Sequence, residues 1–138
     1  METRSELRKK IMTVLYQASV FDKNKIEYNI DDLIKDASEI ENEFIKEIVY
    51  GTITYKDSLD ELANKYMNSW TIDRLGFTDQ AILRMSIFEL LYTETPDIVV
   101  INEAVELAKT YSDEKVTNMI NGVLDKIYHE DTKWIIKQ

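Results

Sequence analysis

Residues 76–91, Gly76-Phe77-Thr78-Asp79-Gln80-Ala81-Ile82-Leu83-Arg84-Met85-Ser86-Ile87-Phe88-Glu89-Leu90-Leu91, decide the fold class. Thr78 reads as the cap of a strong helix whose apolar positions are Ala81, Ile82, Leu83, Met85, Phe88, Leu90 and Leu91. Downstream, Thr95-Pro96 places a cap and a first-turn proline at the next helix start. The run Ile98 to Ile101 alone fits a strand, but Glu103, Ala104, Leu107, Ala108 and Tyr111 extend it at helical spacing, so 96–111 reads as helix. A last helix spans about 115–128, with Val116, Met119, Ile120, Val123, Leu124 and Ile127 apolar.

Upstream, Leu7, Ile11, Val14, Leu15, Ala18 and Phe21 recur at three- and four-residue steps, predicting a helix over about 4–21. A short second helix follows Asn29, a good N-cap, and Phe44 to Tyr55 carries a third. Ser58-x-x-Glu61 reads as a capping box opening a fourth. With 3 Gly and 1 Pro there is little turn chemistry for an all-β fold, so the expectation is all-α, about seven helices. The pattern breaks between Asn68 and Gly76, dividing a single domain into helical halves at about 1–68 and 76–130, with a tail over 131–138. Trp134, Ile135 and Ile136 suggest that this tail docks somewhere.

Composition removes whole classes of function. There is no cysteine, hence no disulfide scaffold, thiolate metal site or cysteine nucleophile, and His129 is the single histidine. No nucleophile-base constellation, metal motif or glycine-rich cofactor loop is visible, so neither an enzyme nor a cofactor is expected. No apolar run approaches the ~18 residues of a membrane helix, and the charged start lacks a secretory h-region, which points to the cytoplasm.

The charge is unevenly placed. Arg4, Arg8, Lys9 and Lys10 face Glu6 alone, a local +3 in a chain of −9, whereas residues 22–47 hold nine acids against four lysines. Arg4 and Arg8 are one turn apart on one helix face, and basic residues at a helix start oppose the helix dipole. Phosphate binding would account for them; an ordinary solvated face is the plain alternative.

Four blocks carry a family resemblance: Val14-Leu15-Tyr16-Gln17; Gly76 to Arg84 continuing into Phe88-Glu89-Leu90; Ile101-Asn102-Glu103-Ala104-Val105-Glu106-Leu107-Ala108-Lys109; and Ile120-Asn121-Gly122-Val123-Leu124-Asp125-Lys126. In order and spacing, over about residues 4–128, the chain resembles the NusB family of bacterial transcription antitermination factors. The resemblance implies two packed helical subdomains, no catalysis, and pairing with NusE, a small-subunit ribosomal protein. The pair would bind boxA-type RNA in nascent ribosomal RNA transcripts and join other Nus factors on RNA polymerase to suppress premature termination. Fusion of such a domain to a ribosomal RNA methyltransferase does not fit, because no Rossmann-type loop follows.

The same resemblance implies site residues. Arg8 matches the family's best-aligned RNA-contacting arginine, Arg4 lies in the same basic segment, and Lys9-Lys10 stand where the family often reads Arg-Glu. At the start of the last helix, Asn118 and Met119 replace a basic residue and a phenylalanine, and Lys115 one turn earlier restores a charge. Tyr16 and Asp79 match positions that contact NusE, and Asp73 lies near them. Plain structural readings compete: Tyr16 as core, Asp79 as a dipole-complementing acid, Arg84 and Glu89 in internal salt bridges, and Gly51 and Gly122 as close helix approaches. A protein-interaction module with weak or no RNA binding is the rival function, favoured by the net charge, Asn118 and Met119. A homodimer that buries the basic helix would mask the RNA site.

Overall fold

The computed structural model describes residues 2–131, and among them the chain forms seven α-helices, one 3₁₀ turn and no strand. They are α1 (Arg4–Lys23), α2 (Ile30–Ala37), α3 (Glu43–Thr54), α4 (Lys56–Tyr66), the turn Ile72–Arg74, α5 (Phe77–Tyr92), α6 (Asp97–Tyr111) and α7 (Glu114–Glu130). Trp134, Ile135 and Ile136 lie outside the described residues. No helix described is long and apolar enough to cross a membrane.

α5 is the centre of the molecule. Every residue from Gln80 to Leu91 is buried, as befits a helix that is apolar on all sides, and α1, α3, α4, α6 and α7 all pack against it. One continuous core results, from Leu7 of α1 to Ile127 of α7, and it includes Ile72 and Leu75 of the segment that breaks the helical pattern. The polar groups on α5 are individually satisfied: Gln80 Nε2 donates to the Leu75 carbonyl at 2.8 Å, and Arg84 grips Asp60 at 2.6 and 3.0 Å.

Asn29 caps α2 as its side-chain chemistry predicts, accepting from Asp31 N–H at 2.8 Å. Other helix starts differ from expectation by a residue or two. α5 begins at Phe77 behind Gly76, leaving Thr78 inside the first turn; α6 begins at Asp97, after Pro96. The Ser58 capping box does not form, because α4 already begins at Lys56 and Ser58 Oγ donates back to the Tyr55 carbonyl at 3.0 Å.

The two mid-helix glycines have different reasons. A Cβ on Gly51 would lie 2.0 Å from Cζ of Phe88, so α3 reaches α5 only because that hydrogen is all Gly51 presents. Gly122 is exposed with nothing within 4 Å of a Cβ, so close approach does not explain it.

Candidate nucleic-acid and partner interface

α1 and α5 run antiparallel, because Arg8 meets Glu89 near the end of α5 while the Lys23 ammonium lies 5.6 Å from the Phe77 ring at its start. The basic cluster and the start of α7 therefore sit toward opposite ends of α5. Asp79, beside the α6–α7 turn, and Glu89, beside Arg8, are ten positions apart, about 15 Å along the axis at ~1.5 Å per residue.

Arg8 does not present a guanidinium to solvent. It is 3% exposed, with Nε and Nη2 donating to the two Glu89 oxygens at 2.9 and 2.5 Å and Nη1 lying 3.9 Å from Glu103. Ser5 Oγ donates to the same Glu103 at 2.7 Å, tying the start of α1 to α6. A phosphate reaching Arg8 would have to displace a buried carboxylate, so Arg8 acts on any surface site by holding α1 in place. Glu89, for which an internal ion pair competed with a binding role, makes that pair; Arg84 makes one with Asp60.

The remaining cations of α1 reach water. Arg4 is exposed, with its guanidinium carbon 3.9 Å over the Phe44 ring, in a cleft that also holds Glu43, Glu47 and Glu94. Lys10 pairs with Glu2 at 2.6 Å, whereas Lys9 is exposed and in no ion pair among the described residues. Lys9, Thr13 and Tyr16 form one exposed stripe at helical spacing, and Tyr16 is 42% exposed, outside the core. One turn beyond Tyr16, Ser19 lines a recess with Lys23, Asp73 and Phe77, so the second half of α1, the 3₁₀ turn and the start of α5 make one continuous face.

Asp79 lies half-buried in the first turn of α5, beside the α6–α7 turn. Burial raises its pKa above the ordinary aspartate value and the neighbouring Asp113 adds to this, while a hydrogen bond with Ser112 opposes both. Asp113 also caps α7, accepting from Val116 N–H at 2.8 Å. Lys115 follows, exposed, with Nζ 5.4 Å from the centre of the Trp70 ring. Asn118, one turn on, is exposed, whereas Met119 is partly buried against the core. Trp70, 44% exposed in the link after α4, escapes sequence reasoning; its only signal is an aromatic residue in a non-periodic stretch.

A family model, that of the NusB family, matches residues 5–129. The chain belongs to the NusB family. It is 42% identical to the transcription antitermination protein NusB of an Exiguobacterium species, over 93% of this chain and 98% of that one. A solved NusB from T. maritima superposes with a TM-score of 0.79 at 28% identity, covering 94% of each chain. A crystal structure of antitermination factors NusB and NusE in complex with double-stranded RNA superposes with a TM-score of 0.75 at 30% identity, over 91% of this chain and 96% of that one. The NusB family consists of non-enzymatic RNA-binding factors of transcription antitermination, and this member has its all-helical fold. Among the described residues no cluster of His, Asp and Glu could hold a metal ion.

Proposed function

We propose that this NusB-family protein pairs with NusE and that the pair holds boxA-type RNA in nascent ribosomal RNA transcripts. Together with other Nus factors and RNA polymerase, in the cytoplasm, it suppresses premature termination. Tyr16 on the exposed stripe of α1 and Asp73 in the 3₁₀ turn, with Asp79 in the first turn of α5, would serve as an aromatic anchor and carboxylates for a basic ribosomal protein. The observation that carries the RNA reading is Lys115 poised over the exposed ring of Trp70, with Asn118 a turn away. A ring and a cation side by side suit an unpaired base and its phosphate. Lys9, Lys10 and Arg4 supply a second basic site on α1, and an extended strand running the length of α5 would reach both. Arg8 supports that site from inside.

A second reading keeps the partner and drops intrinsic RNA binding. It is favoured by Arg8 being internal, Lys10 being paired and Arg4 lying among Glu43, Glu47 and Glu94. Titration of boxA-type RNA with the chain, alone and with NusE, at two salt concentrations separates the readings. Tighter binding with NusE that weakens with salt supports the first. Formation of the protein pair without RNA binding above a scrambled control supports the second.

A further inference from the structure

The buried ring of Phe44, on α3, carries both arginines of α1. The Arg4 guanidinium carbon lies 3.9 Å from its centre and that of Arg8 5.2 Å away. Arg8 is fixed there by its fork to Glu89, so the ring is a rigid platform. Arg4 is exposed and makes no ion pair among the described residues. Its guanidinium rests in a cleft of about 710 Å³ lined also by Glu43 and Glu47, one turn apart on α3, and by Glu94 in the link after α5. All three glutamates are exposed. A ring face attracts a cation and nearby carboxylates add to the attraction, so Arg4 is held by a contact that is favourable yet readily left.

We propose that this is an autoinhibitory contact: Glu43, Glu47 and Glu94 keep Arg4 on the Phe44 ring, and Arg4 joins the RNA site only after leaving the cleft. The proposal rests on the RNA reading above. Three carboxylates against one guanidinium leave the cleft negative, so a phosphate is repelled from Arg4 while it stays there. Arg4 stands in the first turn of α1, and its long, flexible side chain can leave the ring without any change in the backbone. While most molecules hold Arg4 on the ring, the apparent affinity of any contact that needs it is reduced by the fraction that has released it. Neutralising the carboxylates raises that fraction.

The test is titration of boxA-type RNA with the NusE pair over a salt series, using the full chain with Glu43→Gln and Glu47→Gln together, with Arg4→Ala, and with all three changes. The doubly neutralised protein is expected to bind about three- to ten-fold tighter and to steepen the slope of log K against log salt by about 0.7, the increment of one more phosphate contact on a single strand. In the Arg4→Ala background the same two changes are expected to leave the slope unchanged and the affinity within about two-fold. Glu94→Gln, in a link rather than a helix, reads the same direction should the double variant fail to fold. A gain of equal size without Arg4 overturns the proposal, because the carboxylates would then act through their general field. RNA binding that neutralisation leaves unchanged overturns it too, with the RNA reading intact. No binding above a scrambled control by any of these proteins removes that reading and the proposal with it.

Discussion

Arg8 and Glu89, 81 residues apart, meet inside the protein with side chains 4% and 2% exposed, joined by two parallel hydrogen bonds of 2.9 and 2.5 Å. Such a pair pins α1 to α5, and removing one partner strands the other's charge out of water. Arg8→Ala is expected to lower unfolding stability by about 3–5 kcal/mol, and Arg8→Lys to recover little because an ammonium cannot make the fork. The apolar pair Arg8→Met with Glu89→Leu is expected to be near neutral or stabilising. Urea unfolding of the four proteins decides it, and a loss below about 1 kcal/mol for Arg8→Ala would mean the pair behaves as a surface ion pair.

Gly51 and Gly122 make opposite predictions from the same residue type. Alanine at Gly51 drives a methyl into the Phe88 ring, which is already stacked on Tyr92, so a loss of about 1–3 kcal/mol is expected. Alanine at exposed Gly122 meets nothing and is expected to gain up to about 1 kcal/mol from helix propensity. Thermal unfolding of both variants checks the pair. Phe88→Leu in the Gly51→Ala background should return part of the loss, which an effect of propensity alone would not allow.

Asp79 gives a pH signature. Its pKa in the folded protein stands above the ordinary 3.8, chiefly because burial disfavours the charged carboxylate, so the folded state holds this proton to higher pH than the unfolded chain. Its contribution to stability therefore falls as pH rises from the ordinary value through the raised one. Asp79→Asn cannot ionise, so its stability should gain on the wild type across that window. Unfolding of both proteins at a series of pH values measures the difference, and a difference that is flat or runs the other way rejects the assignment. A partner cation docked on Asp79 would favour the charged form, so docking should strengthen as pH rises through the same window.

These relationships divide by how far apart their residues lie in the chain. The helicity of α5 and the Asn29 cap depend on neighbours within a turn or two and are legible in the sequence. The four-residue step from Arg4 to Arg8 is legible too, but so is the stripe Arg8, Ile11, Met12 and Leu15, which the core claims. Which stripe wins depends on Glu89, which no local pattern connects to Arg8. Lys9, one position on, is turned to the exposed stripe that ends at Tyr16. Trp70 and Lys115 are likewise brought together only by the fold, through the 3₁₀ turn and the α6–α7 turn.

The Trp70–Lys115 pair yields the sharpest separation of base from phosphate. If the ring stacks an unpaired base, Trp70→Ala should weaken RNA binding by about 1–3 kcal/mol, whereas Trp70→Phe, which keeps a stacking face, should lose much less. If Lys115 pairs a phosphate, Lys115→Ala should weaken binding to all sequences about equally and reduce the slope of log K against log salt by about 1. The two residues are in contact, so their effects should fall short of additive in the double variant. Neither position is in the core, so circular dichroism and thermal unfolding should stay near wild type and assign the losses to the interface. Salt-series titrations of the NusE pair carrying each variant read all three quantities. Equal losses for Trp70→Ala and Trp70→Phe would remove stacking from the account, leaving Lys115 as an electrostatic contact alone.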